Sequence, residues 1–189
     1  MNRIARRRFG APFLCAIAAS LTVGACASSP GASLLSTLRS LSRESILEGQ
    51  TVIERHLAVE LRQSTRNPQF YTAEIDRPDF VGRIEYEVGR SRIDGSRSAR
   101  LEIFISQPCV KIQEVDNLFG NRFIRTNDGI PKSFESNYNE IWYALAERPA
   151  RMIYFGFLGY SCLQAVMIID GDPEADRMLG VYRQRINSR

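Results

Sequence analysis

The sequence has one histidine, His56, one tryptophan, Trp142, two lysines and, ahead of Glu44, no acidic residue. The scarcity of histidine and cysteine removes two classes of chemistry. Of four cysteines, Cys15 and Cys26 belong to an N-terminal apolar stretch. Cys109, Cys162 and His56 are then all that remain for a Cys/His zinc site, which needs four ligands. A serine hydrolase would have to use His56 as its base, there being no other. Gly159-Tyr160-Ser161-Cys162-Leu163 begins like a nucleophile elbow, but the second glycine is missing and no helix signal follows. No phosphate loop or dinucleotide fingerprint is present. The expectation is a protein with no catalytic residue, no metal and no cofactor.

The early lack of acids also explains the charge. The net charge of +4 owes everything to Arg3, Arg6, Arg7 and Arg8. Without residues 1–25 the chain carries 21 basic and 21 acidic side chains. A neutral chain gives no case for nucleic-acid binding. With 44% apolar and 24% charged residues over 189 positions, one folded domain is expected and extensive disorder is not.

Residues 1–26 carry the most specific signal. Four arginines precede an apolar run from Phe9 to Ala25, too short and too rich in alanine and glycine for a permanent span. The run ends in Val23-Gly24-Ala25-Cys26, which resembles the lipobox of bacterial lipoprotein signal peptides. The resemblance covers these 26 residues. It implies cleavage before Cys26 and acylation of that cysteine, with palmitate among the chains. Two or three acyl chains hold firmly where one binds marginally, at about 0.8 kcal/mol per buried methylene. Ala27-Ser28 after the cysteine, rather than aspartate, implies the outer membrane, facing the periplasm. Two other readings stay open. Ala25-Cys26-Ala27 also fits the ordinary secretory peptidase, which would release a soluble periplasmic or secreted protein. Arg6-Arg7-Arg8-Phe9 resembles the twin-arginine export motif, from which Gly10 and Ala11 depart.

Cys109 and Cys162 form an even pair in a chain bound for an oxidising compartment, so a disulfide is expected. Closing a loop of some fifty residues contributes about 4 kcal/mol in the chain-entropy model. The competing use is a Cys162 thiol nucleophile served by His56, which no surrounding motif supports.

The pattern divides the chain into a signal peptide (1–25), a lipidated cysteine with a flexible tether (26–33) and an α+β domain (34–189). Leu34, Leu35, Leu38 and Leu41 recur at helical spacing, which predicts a helix over 34–47 stopped by Gly49. Residues 51–62 read either way, with a slight lean to helix from a Thr51/Glu54 capping box. Ile84, Tyr86 and Val88, the turn residues Asp94-Gly95, and Leu101, Ile103 and Ile105 predict a hairpin. Val110 to Phe119 marks a short helix with Gly120 behind it. Residues 121–137 read as a polar loop. Three strands follow, Ile141–Leu145, Met152–Leu158 and Leu163–Ile169, the last two apolar on both faces and so central. Asp172-Pro173 opens a terminal helix. The fold class is α+β: one antiparallel sheet of four to six strands with helices packed on one face. Two helix-then-strands units, roughly 51–106 and 110–169, can be drawn, although their residues do not align well.

The helix ending in Phe119-Gly120, then Ile141-Trp142-Tyr143 and an apolar strand pair, is similar to small α+β envelope lipoproteins of the BamE type and to the related beta-lactamase-inhibitor-protein fold. The similarity covers about 60 of 189 residues. It implies protein binding across a sheet face with no cofactor.

Three features of the mature chain invite a site. Asp170, Asp172, Glu174 and Asp176 are spaced like calcium-loop ligands, but Ala175 replaces the loop glycine and Val181 the final glutamate, so helix capping is the better reading. Two carboxylates across a cleft would suit a small cell-wall enzyme. Trp142, Tyr143, Tyr154, Phe155, Phe157 and Tyr160 crowd into twenty residues. Core packing accounts for most of these rings. A partner surface of Trp142, Tyr143, Arg148 and Arg151 is the bolder reading, these residue types dominating interfaces. The leading expectation is a non-catalytic, membrane-anchored lipoprotein that binds another envelope protein. An immunity or inhibitor protein presenting loop 124–139 to a toxin or hydrolase is the rival.

Overall fold

The computed structural model of the chain describes residues 30–91, 94–119, 123–125, 140–145, 151–158 and 162–173. Helix α1 spans Pro30–Leu41. Proline at the first helical position sacrifices no hydrogen bond, so the helix starts inside the segment expected to be a tether. It also stops short of residue 47. A single 3-10 turn, Ile46–Glu48, follows, capped by Ser45, whose side chain accepts the N–H of Leu47. Gly49, at φ 115°, then leads into helix α2, Gln50–Leu57. The ambiguous stretch is thus a helix followed by a two-residue strand β1, Arg62–Gln63. The expected capping box does not form. Gly49 holds the cap position without a side-chain bond, and Glu54 instead accepts the N–H of Leu61 at 2.9 Å.

Strands β2 (Phe70–Arg77), β3 (Phe80–Arg90) and β4 (Arg97–Gln107) form an antiparallel meander. Helix α3 spans Ile112–Phe119. A second meander follows: β5 (Phe123–Arg125), β6 (Glu140–Leu145), β7 (Arg151–Leu158) and β8 (Cys162–Asp170). All pairs are antiparallel, and the order is β1-β2-β3-β4-β8-β7-β6-β5. Six long strands match the expected upper count. The short edge strands β1 and β5 widen the sheet to eight, β5 lying within the stretch expected to be a loop. The two units drawn on the sequence correspond to α2 with β1–β4 and α3 with β5–β8, joined at the centre through β4 and β8.

One face of the sheet carries Ala73, Ile75, Ile84, Leu101, Ile103, Val166, Ile168, Ile153 and Phe155 at every second position, the period that an antiparallel strand dictates. Leu34, Leu38, Leu41, Ile53, Leu57 and Val115 from the three helices bury against it. Among the described residues the helices therefore cover one face. The opposite face changes character across the sheet. On β7 and β8 it is buried at Met152, Tyr154, Ala165 and Met167, as two-sided apolar strands require. On β2–β4 it carries Glu74, Asp76, Arg83, Glu85, Glu87 and Arg100. Gly82 is needed where β3 crosses β4, because a Cβ there would lie 2.1 Å from the carbonyl oxygen of Phe104.

Ala58 leaves α2 in the left-handed region, φ 51° and ψ 51°, while Val59 N–H closes on Glu54 O at 3.2 Å. This is a C-terminal position suited to glycine. Ala58→Gly is expected to raise stability by about 0.5–1 kcal/mol, read as a higher urea midpoint at unchanged slope. A lower midpoint would show that the turn is not under this strain.

Candidate functional site

The two central strands expected over Met152–Leu158 and Leu163–Ile169, apolar on both faces, each extend to a charged residue at one end. Arg151 begins β7 and Asp170 ends β8, and the register sets them opposite each other. Arg151 is 0% exposed and Asp170 5%. One carboxylate oxygen, Oδ2 of Asp170, accepts three donors: Arg151 Nη2 at 2.5 Å, Ser45 Oγ at 2.9 Å and Ile46 N–H at 2.9 Å. Arg151 Nη1 donates to Leu41 O at 2.9 Å, and its Nε has no hydrogen-bond partner among the described residues. The pair thus ties the end of α1 and the start of the 3-10 turn to the middle of the sheet. Arg151, expected on a partner surface, belongs to the core. A guanidinium with no exposed area cannot meet a partner.

Tyr86 completes the clamp. Its hydroxyl donates to Ile46 O at 2.6 Å, so both backbone groups of Ile46 are held by sheet residues. Burial pushes the Tyr86 phenol up to about 12.

Cys109 and Cys162 form the expected disulfide, 53 residues apart, and Leu163 N–H donates to Val110 O at 2.9 Å beside it. The bond fastens the approach to α3 to the start of β8. With its sulfur committed, Cys162 is no thiol nucleophile. His56 lies on α2, its Nε2 2.8 Å from Glu44 Oε1, and Arg55 pairs with the same carboxylate. The hydrogen bond from His56, with the charges of His56 and Arg55, holds Glu44 below its ordinary range against the effect of burial.

Of the aromatic patch, Trp142 and Tyr143 lie on β6, their backbones paired with Phe155 and Tyr154. Arg148, Tyr160 and loop residues 126–139 lie outside the described residues, as do Glu174, Asp176 and the expected terminal helix. Asp170 is spent on Arg151, so the acid run loses its first member. No group of three or more possible metal ligands occurs among the described residues.

Two surfaces remain that sequence reasoning did not single out. The first is the charged half of the open face. Glu85 lies directly opposite Glu102 across β3 and β4, a like-charge placement that costs stability unless relieved. Arg83 relieves Glu85 at 3.0 Å and Arg100 relieves Glu102 at 2.7 Å, while the Arg83 guanidinium sits 4.6 Å above the Phe104 ring. The concavity beside these acids holds about 90 Å³. That is well below the 300 Å³ or so of a small-molecule site, so this pair makes a poor glycosidase centre. The second is a groove of about 470 Å³ between Ala58–Glu60 with Arg62 and residues Thr72–Arg77 of β2. Its walls are mainly polar, with three carboxylates, Glu60, Glu74 and Asp76.

Comparison of the chain with family models, curated proteins and solved structures finds no match. Among the described residues no helix is long and apolar enough to cross a membrane.

Removing the charge of Asp170 leaves Arg151 buried and uncompensated. Asp170→Asn is expected to cost about 3–5 kcal/mol in urea unfolding; a loss under about 1 kcal/mol would contradict the clamp. Tyr86 keeps its proton in the folded chain above the pH at which the unfolded chain releases it. Its contribution is therefore complete below pH 10.0 and lost as the pH rises towards about 12. Tyr86→Phe should lower stability at neutral pH by about 1 kcal/mol and flatten the alkaline decline. A variant that declines as steeply as the parent would rule out Tyr86 as its source.

Proposed function

We propose that this protein is a lipid-anchored envelope lipoprotein, held to the periplasmic side of the outer membrane through Cys26. In this reading its α+β domain binds another envelope protein without catalysis. One structural observation carries the binding half. On β2–β4 the sheet presents a charged, open face and a groove beside β2, while β7 and β8 are buried on both faces. A sheet that is covered only in part offers a partner a flat charged surface and an edge. The Cys109–Cys162 disulfide supports an exported chain, since such bonds persist in oxidising compartments. The lipobox-like Val23-Gly24-Ala25-Cys26 supports the anchor. The likeness to BamE-type lipoproteins points to the same class. Trp142, Tyr143 and Arg148 remain candidate contact residues, without Arg151.

The anchor is tested by growing cells expressing the full chain with labelled palmitate. Label is expected in the parent and absent from Cys26→Ser, which should move from the membrane to the soluble fraction. An unlabelled parent in the soluble fraction would favour release by the ordinary secretory peptidase. Binding is tested by retention of a stoichiometric protein from detergent-solubilised envelopes on the immobilised chain. A folded bait that retains nothing would contradict it.

A further inference from the structure

Strand β2 has eight residues, and its outer neighbour β1 pairs with two of them, Tyr71 and Thr72. From Ala73 to Arg77 the outer side of β2 has no strand partner among the described residues. Its orientation follows from one bond. Ser64 N–H donates to Phe70 O at 2.8 Å, so the backbone groups of Phe70 face β1. Backbone direction repeats every second residue, which aims the N–H and C=O of Glu74 and Asp76 outward as well. These are the unpaired groups of a sheet edge about 16 Å long.

The groove along this edge is bounded by the exposed Glu60 and Arg62 and the half-buried Val59. Glu60, Glu74 and Asp76 make no ion pair or hydrogen bond through their side chains among the described residues. Arg77 is engaged with Leu57 O at 2.8 Å and with Asp79. Arg83, the cross-strand neighbour of Glu74, is held by Glu85. Among the described residues, three carboxylates against one uncommitted guanidinium, that of Arg62, leave the edge acidic. A second copy of the chain added antiparallel about Ile75 would set Glu74 against Asp76 of its mate, and like charges directly opposite destabilise a pair. The edge therefore selects against itself and for a basic strand.

We infer that the Ala73–Arg77 edge of β2 receives an extended segment of a partner protein by strand addition. The segment has arginine or lysine at the alternate positions that face Glu74 and Asp76, and apolar residues between them that fall towards Val59. Main-chain hydrogen bonds supply the affinity and the alternate side chains the selectivity. This deepens the proposed binding function and rests on it.

The test uses the full chain purified in detergent and a fluorescent peptide of alternating arginine and valine. Two comparison peptides carry glutamate in place of arginine, or N-methyl groups on alternate residues. The arginine peptide is expected to bind saturably, and N-methylation to abolish binding. A Glu74→Lys/Asp76→Lys chain should lose about tenfold in affinity, the scale of two exposed ion pairs, and accept the glutamate peptide instead. Failure of the arginine peptide to bind, or binding indifferent to charge reversal or to N-methylation, overturns the edge site. Retention of the same envelope protein by parent and charge-reversed chains also overturns it, while leaving the protein-binding function intact. If the parent binds the peptide but retains no envelope protein, the edge stands and the broader function falls.

Discussion

A buried charge pair joins the two central strands of this sheet to the helical layer above them. Arg151 and Asp170 face each other across β7 and β8, and a slip of one strand against the other would strand two desolvated charges. Such a pair adds little over well-packed apolar residues, but separating it is costly. Its value is therefore in what it forbids. Because Asp170 also accepts from Ser45 and Ile46, and Arg151 donates to Leu41, the same constraint fixes where α1 ends. The helical layer and the sheet cannot be repositioned independently.

The inner strands and the β2 side of the sheet differ in character. β7 and β8 are covered on both faces, and β4 beside them is long and paired on both sides. Towards β2 the open face becomes a lattice of carboxylates and guanidiniums, and at β2 itself the hydrogen-bond ladder stops two residues into its outer neighbour. The disulfide fastens the connection between the two meanders, where the chain leaves β4 at the centre of the sheet for β5 at its edge.

The fold class was legible because alternation is legible. Ile84, Tyr86 and Val88 against Leu101, Ile103 and Ile105 name the β3–β4 hairpin, and unbroken apolar runs name β7 and β8 as inner strands. Pro30 suits both a linker and a helix start, so local composition does not separate the tether from α1. The edge strands β1 and β5, of two and three residues, are too short to show a period. Arg151 reads as a partner-surface residue because arginine, with tryptophan and tyrosine, dominates interfaces, yet the sequence also carries the contrary signal. A charge at the end of each of two apolar strands, one of either sign, is what a buried pair looks like before folding. The groove at β2 had no such signal. It depends on where Leu57–Leu61 diverges from β2, which no local pattern records.

Amide hydrogen exchange on the folded full chain tests this division of the sheet most directly. The account predicts the slowest exchange in β4, β7 and β8, with the Glu74 and Asp76 amides orders of magnitude faster than those of their neighbours Ala73 and Ile75, whose N–H groups face β3. Equal protection along β2, or fast exchange at Ile153 and Ile168 beside the buried pair, would contradict it.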